Sequence, residues 1–208
     1  MSLLIDFWCK LNGTVHPDDA AIFNDYAGAH GFNLDYPPPA FWGDVRNAPI
    51  LILDNNGGFS PKETPCEYSE EGATERHLEY LADPKPISLD RLPPYYRRLN
   101  FAKWLESGHA ALVNGVAYRS VNSASHNVEK ISRKLPSRQK HRDWLIAEAL
   151  PEAKEGNRLL IFHRWTRWGF KKCEIESDNV VWSPAPVMPS LTKKELDECE
   201  KFLRTRSL

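Results

Sequence analysis

Four short apolar runs constrain this chain more than any other feature. They are Pro49-Ile50-Leu51-Ile52-Leu53, Ala110-Ala111-Leu112-Val113-Asn114-Gly115-Val116, Arg158-Leu159-Leu160-Ile161-Phe162 and Asn179-Val180-Val181-Trp182. A short run that is apolar at every position marks a strand buried on both faces, and such strands belong to parallel sheets covered by helices. Helix-forming sequence lies between and around them, over 17–30, 70–82, 95–107 and 137–150. A last helix opens at the capping box Thr192-x-x-Glu195, with Leu196, Cys199 and Leu203 on its inner stripe. The expected fold is therefore α/β: a three-layer α/β/α domain around a central four-stranded, mostly parallel sheet, the first and third strands central. One domain spans 1–208, with a helix and a Pro-rich loop in residues 1–45 packed on it. The segment Tyr36-Pro37-Pro38-Pro39-Ala40-Phe41-Trp42-Gly43 reads as extended chain pinned by Phe41 and Trp42.

No apolar run reaches the roughly 18 residues of a membrane-spanning helix, so no membrane role is expected. The apolar start Met1 to Cys9 is broken by Asp6 and lacks a basic leader, which predicts a cytoplasmic protein. Four cysteines stand alone, at Cys9, Cys66, Cys173 and Cys199, without the paired spacing of a metal site. No metal or organic cofactor is expected, and a monomer is favoured. Charge is distributed unevenly although the net is only −1. Residues 119–172 hold thirteen Lys or Arg against five Asp or Glu, while the chain before them is net −7. That pattern suits either a polyanion partner or a solvated helix face.

In parallel sheets ligands bind beyond the carboxyl ends of the strands. Three segments fall there: the expected turn Asp54-Asn55-Asn56-Gly57-Gly58-Phe59, then Asn114 to Ser120, then His163 to Trp168. Each also has a structural reading. Asn-Gly-Gly is ordinary turn chemistry, Asn114 could bond a neighbouring loop, and His163, Phe59, Trp165 and Trp168 could be core.

Taken in order, these segments resemble the uracil-DNA glycosylase superfamily. Ile50 to Phe59 is similar to its strand-and-turn motif, with Gly57 where the family has proline. Leu112-Val113-Asn114-Gly115-Val116 resembles its base-reading strand, and Leu160-Ile161-Phe162-His163 its strand ending in His, followed here by Arg164-Trp165. More closely, the chain resembles an uncharacterised branch of that superfamily with a Leu-Asn-Pro-Gly-Phe turn, Ala117-Tyr118-Arg119-Ser120 holding the place of the branch's Pro-Tyr-His-Ser. The resemblance implies recognition of a flipped base in a nucleic acid, DNA above all, with hydrolysis of the N-glycosidic bond of uracil or a modified base. It implies Asn56 as water holder, Asp54 as base and His163 as stabiliser of the departing base. Phe59, Asn114 and Tyr118 would contact the base, and Arg119, Arg164, Arg167, Gly57 and Gly58 the nucleic-acid backbone. Two other readings remain open. One is a non-catalytic nucleic-acid-binding or interaction protein that keeps the fold; the other is a small-molecule enzyme holding an anion on the amides of residues 56–59.

Overall fold

The structure is a computed structural model that describes residues 2–26, 29–163, 165–171, 174–175, 177–183 and 190–206. All four apolar runs are strands: β3 (Ile50–Gly58), β4 (Ala110–Ser120), β5 (Leu159–Phe162) and β6 (Val180–Trp182). Two short strands precede them, β1 (Phe32–Asn33) and β2 (Phe41–Trp42), so the expected count of four becomes six. The strand order is β1-β4-β3-β5-β6, with β2 also on β4. β5 pairs in parallel with both β3 and β6. β3 and β4 also run the same way, since Ile50 N–H donates to His109 and, nine residues on, Phe59 N–H donates to Ser120. Among the four long-expected strands the first and third are thus internal, as the sequence pattern predicts. β1 and β2 lie antiparallel to β4, Phe32 opposite Ser120 and Phe41 opposite Val113. Pro37, Pro38 and Pro39 separate them, and prolines without an N–H confine the pairing to the two ends of the segment.

One expectation is corrected at β3. The turn read at Asp54 to Phe59 is strand through Gly58. β4 is longer than β3 and buried along its whole length, so it supplies ladder partners past the point where local sequence favours a turn.

Ten α-helices occur among the described residues: α1 (Leu3–Trp8), α2 (Pro17–Asp25), α3 (Thr64–Glu67), α4 (Ala73–Ala82), α5 (Pro94–Arg97), α6 (Ala102–Ser107), α7 (His126–Ser132), α8 (Pro136–Trp144), α9 (Leu150–Lys154) and α10 (Lys193–Arg206). α2 begins as read, with Pro17 at its first position and His16 Nδ1 accepting the Asp18 N–H at 3.1 Å. The single helix expected over 137–150 is interrupted: Leu145–Ala149 widens into a π-helical turn before α9. Pro151 just beyond has no N–H to return to the preceding turn, which disfavours regular α geometry there. α10 keeps its capping box, Thr192 N–H to Glu195 Oε2 at 2.6 Å and Glu195 N–H to Thr192 Oγ1 at 3.3 Å. Cys199 is buried as expected, but Glu195 and Phe202 share its face while Leu196 and Leu203 are half-buried, in keeping with a cap that turns Glu195 inward.

The chain divides into two compact units, residues 1–40, 56–84 and 114–144 in the first and residues 41–55, 85–113 and 145–208 in the second. The first has an unusually polar interior. Buried Asp19 accepts from Tyr118 Oη at 2.7 Å and from the Ser137 N–H at 2.9 Å, and Tyr118 Oη accepts from the His16 N–H. Trp8 Nε1 donates to His141 Nε2 at 2.7 Å. The second unit is mostly aliphatic around β5, with Leu160, Ile161 and Phe162 fully buried and Phe162 stacked on Trp182.

Candidate functional site

In the first unit the ends of β3 and β4 bring together Asn56, Gly57, Gly58, Arg119 and Ser120. Asn56 is half-buried and its Nδ2 donates to Ser120 Oγ at 2.6 Å. Gly57 is buried against the Pro-rich segment: a Cβ there would meet Pro39 Cγ at 2.4 Å. Glycine is required here by close approach of another segment, not by a turn. Phe59 is half-buried, and its N–H belongs to the ladder with Ser120, so that amide does not face an anion.

Asn114 is held on the fold itself. Its N–H donates to Ala40 O at 2.9 Å and its Nδ2 to Pro39 O at 2.6 Å. The structural reading of this residue, a bond to a neighbouring loop, describes that amide. Tyr118, expected at the base, is fully buried between His16 and Asp19. Burial first, then the Asp19 carboxylate, raise its hydroxyl pKa, so it acts as a neutral donor.

Arg119, expected on a phosphate, is also internal. Its guanidinium donates to Glu67 Oε2 at 2.7 Å, to Gly58 O at 3.2 Å and to Tyr68 Oη at 3.4 Å. The two charged side chains are only 2% and 7% exposed. Burial pushes the Glu67 carboxyl up and Arg119 opposes that shift. Tyr68 continues the network to His77, whose Nε2 lies 3.2 Å from Pro38 O. The sequence does not mark Glu67, Tyr68 and His77: the first two follow Pro65 outside any expected element, and His77 lies in the expected helix over 70–82 with nothing to show that it is buried.

In the second unit Asp54 is half-buried; its Oδ1 accepts the Asn55 N–H and its carbonyl accepts from Trp168 Nε1 at 2.8 Å. Trp168 is therefore a buried anchor of this strand end. His163 follows β5, fully buried, its N–H bonded to Leu53 O. Near it are Ser183 and Glu195, both buried. Burial pushes the Glu195 carboxyl up, but bonds from Ser183 and Thr192 and the nearby His163 outweigh this and hold it below the ordinary range. The capping-box motif announced Glu195 as a cap, and nothing in the sequence announced its place beside His163. Arg167 is half-buried, and Arg164 lies outside the described residues.

Not all of the basic stretch over 119–172 is on the surface. Arg119 is internal, and half-buried Arg158 donates to the carbonyls of Val45 and Arg46. In the first unit the rest sit on α7, α8 and their link. Lys130, Arg133, Lys134 and Lys140 are exposed there, and Arg138 and Arg142 are half-buried. The acids among them are Glu129, paired with Arg133, and Asp143, which accepts from Gln139.

Among the described residues no group of three His, Cys, Asp or Glu is arranged to hold a metal ion, and no helix is long and apolar enough to cross a membrane. No family model, curated protein or solved structure matches the chain.

Proposed function

We propose that this protein binds nucleic acid through the α7–α8 surface, on a glycosylase-like scaffold that does not itself hydrolyse glycosidic bonds. The observation that carries the reading is that surface. Six basic side chains gather over 130–142, and one of the two acids beside them is already paired. A cation surface of this kind attracts phosphates irrespective of sequence. What supports a non-catalytic scaffold is that two residues expected to hold the substrate are bonded within the fold. An amide bonded to Pro39 O is not offered to a base edge, and a guanidinium bonded to Glu67 is not offered to a phosphate.

The test is titration of the whole protein with labelled oligonucleotides at rising salt. Affinity should fall steeply as salt rises, and charge reversal at Lys130 and Lys140 together should weaken it further. Binding indifferent to salt, or none at low ionic strength, would refute the reading.

The catalytic reading is favoured by a different observation. The parallel sense and central position of the first and third apolar strands are what the glycosylase resemblance requires, and Asp54, Asn56 and Phe59 are each partly exposed. It is tested by release of free base from single- and double-stranded oligonucleotides carrying uracil, deaminated purines or modified pyrimidines. Release that is abolished by Asn56→Ala would replace the binding reading with the enzymatic one.

A further inference from the structure

The α7–α8 surface contains one aromatic ring held among its lysines. Tyr26 caps the carboxyl end of α2 and is half-buried. Lys134 Nζ donates to its hydroxyl and sits 5.0 Å from its ring centroid. Lys130, on α7 and four residues before Lys134, lies close enough to act electrostatically on the same hydroxyl, and Asp25 is the opposing acid. α2 is fixed from beneath by Asp19, which binds the Ser137 N–H at the start of α8, and by buried Phe23, edge-on to Tyr118.

A partly open aromatic ring beside two cations four residues apart in the chain has the makings of a single-strand site. Base–aromatic stacking needs a free base face, which an unpaired nucleotide has and a duplex interior lacks. Every base has such a face, so the contact is tolerant of sequence. Lys134 can exchange its cation–π contact for a phosphate oxygen while remaining beside the ring. Resting on the nucleic-acid reading above, we propose that Tyr26 is a stacking platform for an unpaired base, with Lys130 and Lys134 on the flanking phosphates. The preferred ligand class is therefore single-stranded nucleic acid.

The experiment measures affinity of the full chain for three probes of equal length: a labelled oligothymidylate, the same backbone with abasic linkers, and a duplex. Wild type should bind the oligothymidylate tightest. Tyr26→Ala should weaken that probe roughly tenfold or more and leave the abasic and duplex probes unchanged. Tyr26→Phe should behave as wild type, since the ring stacks and the hydroxyl does not; its thermal unfolding, compared with Tyr26→Ala, separates lost stacking from lost folding. Lys134→Ala should lower the salt dependence on every probe by roughly one phosphate's contribution, which Tyr26→Ala should not. Equal weakening of all three probes by Tyr26→Ala, or equal loss in Tyr26→Phe, overturns the platform while leaving the general reading in place. Failure of wild type to bind any probe at low salt overturns both.

Discussion

The side-chain amide of Asn114 donates to the carbonyl of Pro39 at 2.6 Å, tying the buried middle of β4 to the Pro-rich segment that runs along it. Proline offers no N–H to a ladder, so side-chain donors are the means by which a strand can hold such a segment between its paired ends. The residue that resembles a base reader is therefore a brace.

A first prediction follows for Asn114 itself. Asn114→Ala should cost about 1–3 kcal/mol, because it leaves a buried carbonyl without its donor. Asn114→Asp should cost more, since it sets a second acceptor against Pro39 O. Chemical denaturation of the two variants checks the order. If Asn114→Asp proves as stable as wild type and alters base preference instead, the brace interpretation is wrong.

Gly57 is predicted to be intolerant of any side chain for a related reason. A Cβ placed 2.4 Å from Pro39 Cγ meets a stiff ring that cannot rotate away. Gly57→Ala should destabilise by about 1–3 kcal/mol, the usual scale of overpacking. Gly58→Ala, where a Cβ meets nothing within 4 Å, is the control and should be much milder. Comparable losses at both positions would point to backbone conformation in place of contact.

The Arg119–Glu67 pair should behave as a buried pair and not as a nucleic-acid contact. Removing one partner, in Arg119→Met or Glu67→Gln, should cost about 3–5 kcal/mol by leaving the other without its counter-charge. The double variant should recover much of that loss. A double-mutant cycle on thermal stability measures the coupling. Arg119→Met that folds normally and loses only oligonucleotide affinity would restore the phosphate role.

Acid should destabilise the fold through histidines whose burial lowers them, His141 and His77 most strongly and His30 in the same sense. Burial pushes His141 down to about 3 and His77 down to about 4, with the Asn114 and Pro38 main chains opposing it. Both are neutral in the native state and titrate near 6.5 when unfolded. Below that value the unfolded chain binds more protons, so stability is complete above about pH 6.5 and falls as pH drops towards the folded values. The slope approaches about 1.4 kcal/mol per pH unit for each histidine. Buried Asp19 and Glu67, whose carboxyls are raised, act in the opposite sense, since the native state then holds protons longer. The loss between pH 6 and 5 is thus assigned to the histidines. Denaturation curves across that range, with His141→Gln flattening the slope, are the measurement; an unchanged slope in His141→Gln would assign the loss elsewhere.

How much of this was legible beforehand differs by element. The sequence alone determined that residues 50–53, 110–116 and 159–162 are buried strands and 180–182 a partly buried one, because apolar runs have no stable place on a surface. It also determined the starts of α2 and α10, where Pro17 and the Thr192–Glu195 box act through bonds within a few residues. Only the tertiary structure decided that β3 continues past Leu53 and how the polar residues near its end are used. Their partners are remote in the chain: Asn114 and Pro39 are 75 residues apart, Arg119 and Glu67 52, Tyr118 and Asp19 99. Local pattern reports which side chains must be buried, since burial free energy scales with each residue's own apolar area. Which donor meets which acceptor depends on segments that packing alone brings together, so a buried Asn, Arg or Tyr shows only that it needs a partner, not which one it has.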